Sequence, residues 1–243
     1  MTQKSKEDYL HSSFIYLMEF LNGGSLEWNL KEKEKYFNEK TIIFYSAQIL
    51  CGILFLHNKQ IVHNDIKLDN VLLNSNGNAK LCDFTLCKKI INSKKEKLFG
   101  TLNYKSPESF ELLTFPNYSM DYWSFGICIF RMFTNEFPFK DEIIIKDLNI
   151  KMPNLNNNNN KKISKKYFIT KIKQYKTSEI ASDFVSRLLN KNLNERLLLV
   201  NNIQNNIKNE LFFSSIDWNK LENGQIEAPI NPKIVRNILF YSF

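Results

Sequence analysis

Apolar positions along the chain switch between two periods, and the switches mark out its elements. Phe14 to Leu21 is an apolar, β-prone run ending in the turn signal Asn22-Gly23-Gly24, which predicts a strand. Ser25 opens a short helix. Asn38, a residue suited to capping, opens a longer one through Leu56 that is apolar on nearly every face and therefore predicted to be buried. Two short apolar runs, Val71-Leu72-Leu73 and Ala79 to Cys82, flank Asn74-Ser75-Asn76-Gly77-Asn78 and predict a two-stranded hairpin. A second buried helix is predicted from about Met120 to Phe133, and Phe137-Pro138-Phe139 ends that unit. Residues 154–162 are Asn- and Lys-rich, too poor in apolar surface to order themselves, and read as a surface insertion inside a domain. Helical spacing returns at Ser178 to Leu189, with Ser178 as the cap and Ile180, Phe184 and Leu188 on one face. The pattern is that of a mainly α chain with a small β-hairpin.

Composition narrows the class. At 243 residues and 43% hydrophobic, the chain can bury one substantial core in one or two domains. The formal charge of +8 raises the question of an anionic partner. Lysines are mixed with glutamates in Lys31 to Lys35 and Lys94 to Lys97, the arrangement of solvated faces, so no nucleic-acid partner is expected. Cys51, Cys82, Cys87 and Cys128 lack C-x-x-C spacing and read as reduced thiols of a soluble cytoplasmic protein. The apolar stretches Ile42 to Leu56 and Tyr122 to Phe133 fall short of the ~20 residues a bilayer span needs. The polar stretch Thr2 to Asp8 gives no sign of a signal peptide.

Candidate chemistry sits around the hairpin. The stretch Val62-His63-Asn64-Asp65-Ile66-Lys67-Leu68-Asp69-Asn70 precedes it, and Asp83-Phe84 follows it. A hairpin of that size would bring Asp65, Asn70 and Asp83 to one end of the structure. An Asp base beside an Asn/Asp pair of oxygen ligands for Mg2+ is what phosphoryl transfer needs. Taken alone, an Asp in a loop is more often a cap or a turn former.

The spacing of these residues resembles the protein-kinase signature H-R-D-L-x-x-x-N, D-F-G and A-P-E. Gly100 to Glu108 is similar to the end of a kinase activation segment, and Asp121 to Gly126 to the start of the buried helix after it. Arg196 falls where that family keeps the partner of the A-P-E-type Glu, here Glu108. Leu211 to Trp218 and Ala228 to Lys233 resemble the C-terminal extension of the AGC group, which includes protein kinases A and C. The resemblance implies a protein-kinase-like fold, a helical C-lobe with a remnant N-lobe or hinge strand. It also implies a catalytic domain over residues 1–209 and an AGC-like extension over 210–243.

The same resemblance implies roles. Asp65 would be the base, Lys67 would neutralise the transferring phosphate, and Asn70 and Asp83 would hold Mg2+. Adenine of ATP would meet the Glu19 carbonyl, the backbone of Leu21 and the Leu72 side chain. Asp121 would accept amides near His63 and Asn64, and Glu108 and Arg196 would form a buried ion pair. Asp69 would either contact a basic residue of a peptide substrate or be a solvated carboxylate. The implied partner is a protein substrate with Ser or Thr, with basic flanks in the first case.

Departures from the pattern accompany these matches. No G-x-G-x-x-G occurs, and no N-lobe lysine, so the sequence predicts a fragment of a longer kinase that is inactive by itself. The alternative is a pseudokinase-like protein-binding scaffold. Phe14, Tyr16, Phe20 and the faces of the helix containing Phe44 would then be exposed unless an N-lobe or partner covers them. Thr85 replaces the D-F-G glycine. Asn64 stands for the usual Arg and Lys97 for the phosphorylated Thr of AGC kinases, so phosphate regulation there is expected to be absent.

Overall fold

Two long apolar helices lie against each other at the centre of the structure. The computed structural model describes residues 18–32, 37–91, 93–110, 113–139, 178–193, 196 and 207–234. After α1 (Leu26–Glu32), α2 runs over Glu39–Asn58 and starts where the Asn38 side chain accepts the Thr41 amide at 2.9 Å. It ends as Gln60 turns into the left-handed region (φ 59°). α3 (Tyr118–Thr134) is buried from Ser119 to Thr134, as a helix apolar all round must be. It packs on α2 and on α4 (Glu179–Leu188), whose cap is Ser178. A Cβ on Gly126 would lie 2.9 Å from the Leu188 Cβ, so glycine permits this close approach of α3 to the end of α4.

The hairpin forms as its sequence predicts. β2 (Val71–Leu73) pairs antiparallel with β3 (Ala79–Leu81), Val71 opposite Leu81 and Leu73 opposite Ala79. Asn74 shapes the turn, its side chain accepting the amides of Asn76 (3.0 Å) and Asn78 (2.9 Å). A second ribbon has no counterpart in the sequence reading: β1 (Ile61–Val62) pairs with β4 (Lys88–Lys89). It places the segment after Asp83 beside the loop that carries Asp65. Residues after Glu210 share the central core. Phe184 stacks on Phe212 at 5.0 Å between ring centroids and meets Phe213 edge-on at 5.5 Å, and Ile230 is also buried. The short α5 (Trp218–Glu222) follows.

Several expectations need correction. Residues 18–21 form no strand, although Phe20 is exposed as expected where nothing covers it, and so is Met18; residues 14–17 lie outside the described residues, as does the 154–162 insertion. Phe44 is 4% exposed and set edge-on to Tyr45, so this face of α2 is covered; Phe55 is the exposed phenylalanine of that helix. α2 has 20 residues, beyond the Ile42–Leu56 run, and is apolar and long enough to cross a membrane. Most of its surface is buried against the rest of the chain. α3 starts at Tyr118 rather than Met120. In α4 the buried stripe is Ala181, Phe184, Val185 and Leu188, while Ile180 in the first turn is exposed. At about 100° per residue the buried positions centre on the direction of Ala181 and Leu188, and Ile180, although four before Phe184, lies roughly a quarter-turn from that centre.

Candidate active site

One carboxylate organises the loop ahead of the hairpin. Asp121, in the first turn of α3 and 1% exposed, accepts the backbone amides of His63 at 2.8 Å and Asn64 at 2.9 Å. It also accepts His57 Nε2, at the end of α2, at 2.8 Å. Asn64 sits at φ 65°, a conformation asparagine tolerates, and its side chain donates to the Leu86 carbonyl at 3.0 Å. The fully buried His63 donates from Nε2 to the Cys82 carbonyl at 3.1 Å, which leaves Nδ1 to accept the Asp65 amide at 3.3 Å. The loop and the strand leading to Asp83 are thereby tied together.

Asp65 is the hub of the cluster that results. Its Oδ1 accepts the Thr101 amide at 3.0 Å and the Thr101 hydroxyl at 2.7 Å. Its Oδ2 accepts Lys67 Nζ at 2.7 Å and Asn70 Nδ2 at 3.1 Å. Lys67 also donates to Thr101 Oγ1 at 2.8 Å, closing a ring of three side chains, and Asn70 donates to the Asp65 carbonyl at 2.9 Å. Burial pushes the Asp65 carboxyl up, but the hydrogen bonds from Lys67 and Thr101 together with the Lys67 charge outweigh it and hold the group below its ordinary value. Such a carboxylate stays ionised at neutral pH and is a weak proton acceptor, suited to orienting a hydroxyl.

That shift has a consequence for stability. A carboxyl held lower in the folded than in the unfolded chain adds stability above its unfolded value, and this is lost as pH falls through the folded value. Asp65→Asn is therefore expected to flatten the acid limb of a denaturation midpoint-versus-pH curve. An unchanged limb would mean that the carboxylate gains nothing from Lys67 and Thr101.

Asp83 stands apart from the ring. Its backbone lies at φ 61°, and its exposed side chain accepts the Thr85 hydroxyl at 2.6 Å and the Thr85 amide at 3.3 Å through Oδ1. The link to Asn70 is through backbone, the Cys82 amide donating to the Asn70 carbonyl at 2.9 Å. Leu72 is half-buried on β2, bridged to Ser25. Glu19 forms an ion pair with Lys80 at 2.5 Å, and among the described residues neither Glu19 nor Leu21 makes a backbone hydrogen bond. Asp69 is exposed beside Asn70. Glu108 pairs with the wholly buried Arg196, which also donates to Ser119 Oγ at 2.6 Å and the Asn190 carbonyl at 2.7 Å.

Comparison with known proteins decides the family. The pattern that defines the protein kinase domain matches residues 3–209. The chain belongs to the protein kinase family. It is 33% identical over 225 residues to human protein kinase C delta type, covering 90% of this chain and 30% of that protein. It is 32% identical over 230 residues to protein kinase C-like 1 of Caenorhabditis elegans, covering 92% of the chain and 30% of the relative. It is 33% identical over 226 residues to the serine/threonine-protein kinase SCH9 of Saccharomyces cerevisiae, covering 91% and 25%. These are kinases of the AGC type, and the chain spans about 30% of the length of the first of them.

Kinase ancestry makes the oxygen atoms around Asn70 worth testing against Mg2+. Both donor hydrogens of Asn70 that the structure accounts for point to Asp65, and its Oδ1 accepts nothing among the described residues. Asp83 spends Oδ1 on Thr85 and leaves Oδ2 without a hydrogen bond among those residues. Two open oxygens, one amide and one carboxylate, fit a hard cation that keeps several waters. Among the described residues no group of three or more His, Cys, Asp or Glu forms a metal cage.

Thr101 and His57 escaped the sequence reading. Thr101 lies within the kinase-like run Gly100 to Glu108, yet nothing local marks it as a partner of a residue 36 positions away. His57 closes α2 and looks like an ordinary helix-end histidine until α3 brings Asp121 to it.

Proposed function

We propose that the chain carries the phosphoryl-transfer site of an ATP- and Mg2+-dependent protein serine/threonine kinase. The observation that carries this reading is the closed ring of Asp65, Lys67 and Thr101 with Asn70 bonded into it. Asp65 would orient the substrate hydroxyl and take its proton. Lys67, bonded to both Asp65 and Thr101, holds a positive charge where negative charge gathers on the transferred group. Asn70 and Asp83 would hold Mg2+, which supplies charge neutralisation at the phosphates of ATP. Leu72 and the backbone of Glu19 and Leu21 would receive adenine. The partner is a protein with an acceptor Ser or Thr, and the four free thiols favour a reducing compartment such as the cytoplasm. In this reading residues 1–209 belong to the catalytic domain and 210–243 to a C-terminal extension.

A second reading, a protein-binding scaffold without transfer, is favoured by one contact. The Thr85 hydroxyl donates to Oδ1 of Asp83, a hydrogen bond that the usual glycine could not make. Two measurements separate the readings. Asp65→Asn in the protein that carries this chain is expected to lower phosphoryl transfer by about 10²–10⁴-fold when assayed well below its own, reduced, melting temperature. Retained transfer would refute Asp65 as the base. Thermal stabilisation by Mg-ATP at millimolar concentration is expected for the kinase reading, and none would favour the scaffold.

A further inference from the structure

Contacts join three stretches of the chain into one surface that the phosphoryl-transfer reading does not use. β4 pairs with β1, Lys89 opposite Ile61, and the Ile90 amide donates to the Gln60 carbonyl at 2.9 Å, which sets this stretch beside the end of α2. Lys88 reaches Glu96 at 3.0 Å, and Glu96 and Thr114 exchange backbone hydrogen bonds at 3.0 and 3.1 Å. Tyr118 brings the chain back to α2, its hydroxyl donating to the His57 carbonyl at 3.2 Å.

Each stretch leaves apolar side chains in water. Phe55 on α2 is 63% exposed, Ile91 after β4 59%, and Leu113 and Phe115 on either side of Thr114 58% and 48%. Lysines stand among them. Lys59 Nζ lies 6.0 Å from the Phe55 ring centroid and Lys95 Nζ 5.7 Å from that of Phe115, and Lys89 and Lys94 are exposed. None of these four lysines forms an ion pair among the described residues, whereas Glu96 is held by Lys88 and Glu108 by Arg196. Over the whole of residues 84–117, lysines at 88, 89, 94, 95, 97 and 105 stand against glutamates at 96, 108 and 111, six cations to three anions.

We propose that this surface docks on an anionic phospholipid bilayer. Phe55, Ile91, Leu113 and Phe115 would enter the headgroup region, and the lysines would meet the lipid phosphates and carboxylates. The proposal holds whether or not Asp65 takes part in phosphoryl transfer. Residue types choose this occupant over others. Protein interfaces are depleted in lysine and enriched in arginine, and residues 84–117 contain no arginine. Single-stranded nucleic acid stacks its bases on aromatic rings, a task for which Ile91 and Leu113 offer nothing. A bilayer uses both kinds of apolar side chain: rings settle at headgroup level and aliphatic groups reach the acyl boundary. Lysines nearby add attraction to its negative surface, and their long stems let the charge reach phosphate while the methylenes cover the rings.

Co-sedimentation of the full chain with vesicles tests it. Binding to vesicles of phosphatidylcholine and phosphatidylserine in equal parts is expected to be about tenfold or more tighter than to phosphatidylcholine alone, and to weaken as salt rises. Lys59→Gln combined with Lys95→Gln should weaken it by about fivefold for each lysine. Phe55→Ala combined with Phe115→Ala should weaken it by about tenfold or more, with the melting temperature unchanged because both rings are exposed. Lys220→Gln combined with Lys233→Gln removes the same charge from the C-terminal extension and should leave binding within about twofold. Three results would each overturn the proposal: no preference for phosphatidylserine, equal losses from the two lysine pairs, or full binding by the Lys59/Lys95 variant. Polyuridylate that binds through Lys59 and Lys95 more tightly than the mixed vesicles would overturn it as well, and would assign the surface to nucleic acid.

Discussion

Arg196→Ala is expected to destabilise the chain by about 3–5 kcal/mol, read as a drop in urea midpoint at unchanged slope. The guanidinium is fully buried and joins three parts of the fold: Glu108 ahead of α3, Ser119 in the first turn of α3, and the Asn190 carbonyl after α4. Trp123 covers it at 5.2 Å from ring centroid to guanidinium carbon. Truncation strands the Glu108 carboxylate, which is itself only 13% exposed by side chain. The cost comes from that stranded charge more than from the attraction between the pair. Glu108→Gln combined with Arg196→Met should therefore lose less than the sum of the two single changes. A loss below about 1 kcal/mol for Arg196→Ala would mean that water reaches the pair as it reaches a surface salt bridge.

Asp121→Ala is the second large effect, expected to cost about 3 kcal/mol or more and to lower phosphoryl transfer together with stability. Three donors lose their acceptor at once: the amides of His63 and Asn64 and the Nε2 of His57. Hydrogen bonds to a charged acceptor are worth about 1.5–3 kcal/mol each, and buried donors left open cost more than the bonds they made. The two amides adjoin Asp65, so the carboxylate ring loses its anchor to α3. At temperatures where the variant remains folded, transfer should still fall at saturating peptide. Full transfer in a folded Asp121→Ala protein would show that the ring with Lys67 and Thr101 holds Asp65 unaided.

Much of this is legible locally because the forces involved are local. Asn38 and Ser178 each precede a helix and satisfy an amide three residues on, so their chemistry can be read from adjacent letters. The Asn74 turn joins two short apolar runs, and strand pairing follows from it. The expected burial of Ile180 and exposure around Phe44 both fail, because burial depends on what arrives from elsewhere. The apolar stripe of α4 is set by how α3 meets it, and Phe44 is buried within the core cluster, edge-on to Tyr45. The Phe14–Leu21 run has strand composition, yet residues 18–21 have no strand neighbour among the described residues.

The sequence by itself determined the helices and the hairpin and singled out Asp65, Lys67, Asn70 and Asp83 as candidates, since period, caps and spacing are properties of the chain. Only the tertiary structure decided that Thr101 closes on Asp65, that β4 pairs with β1, and that Asp121 serves two loop amides and a histidine. It also left Asp83 bonded to Thr85 rather than within the ring. These contacts join residues far apart in the chain, and their free energy appears only once α2 and α3 have packed and excluded water around them.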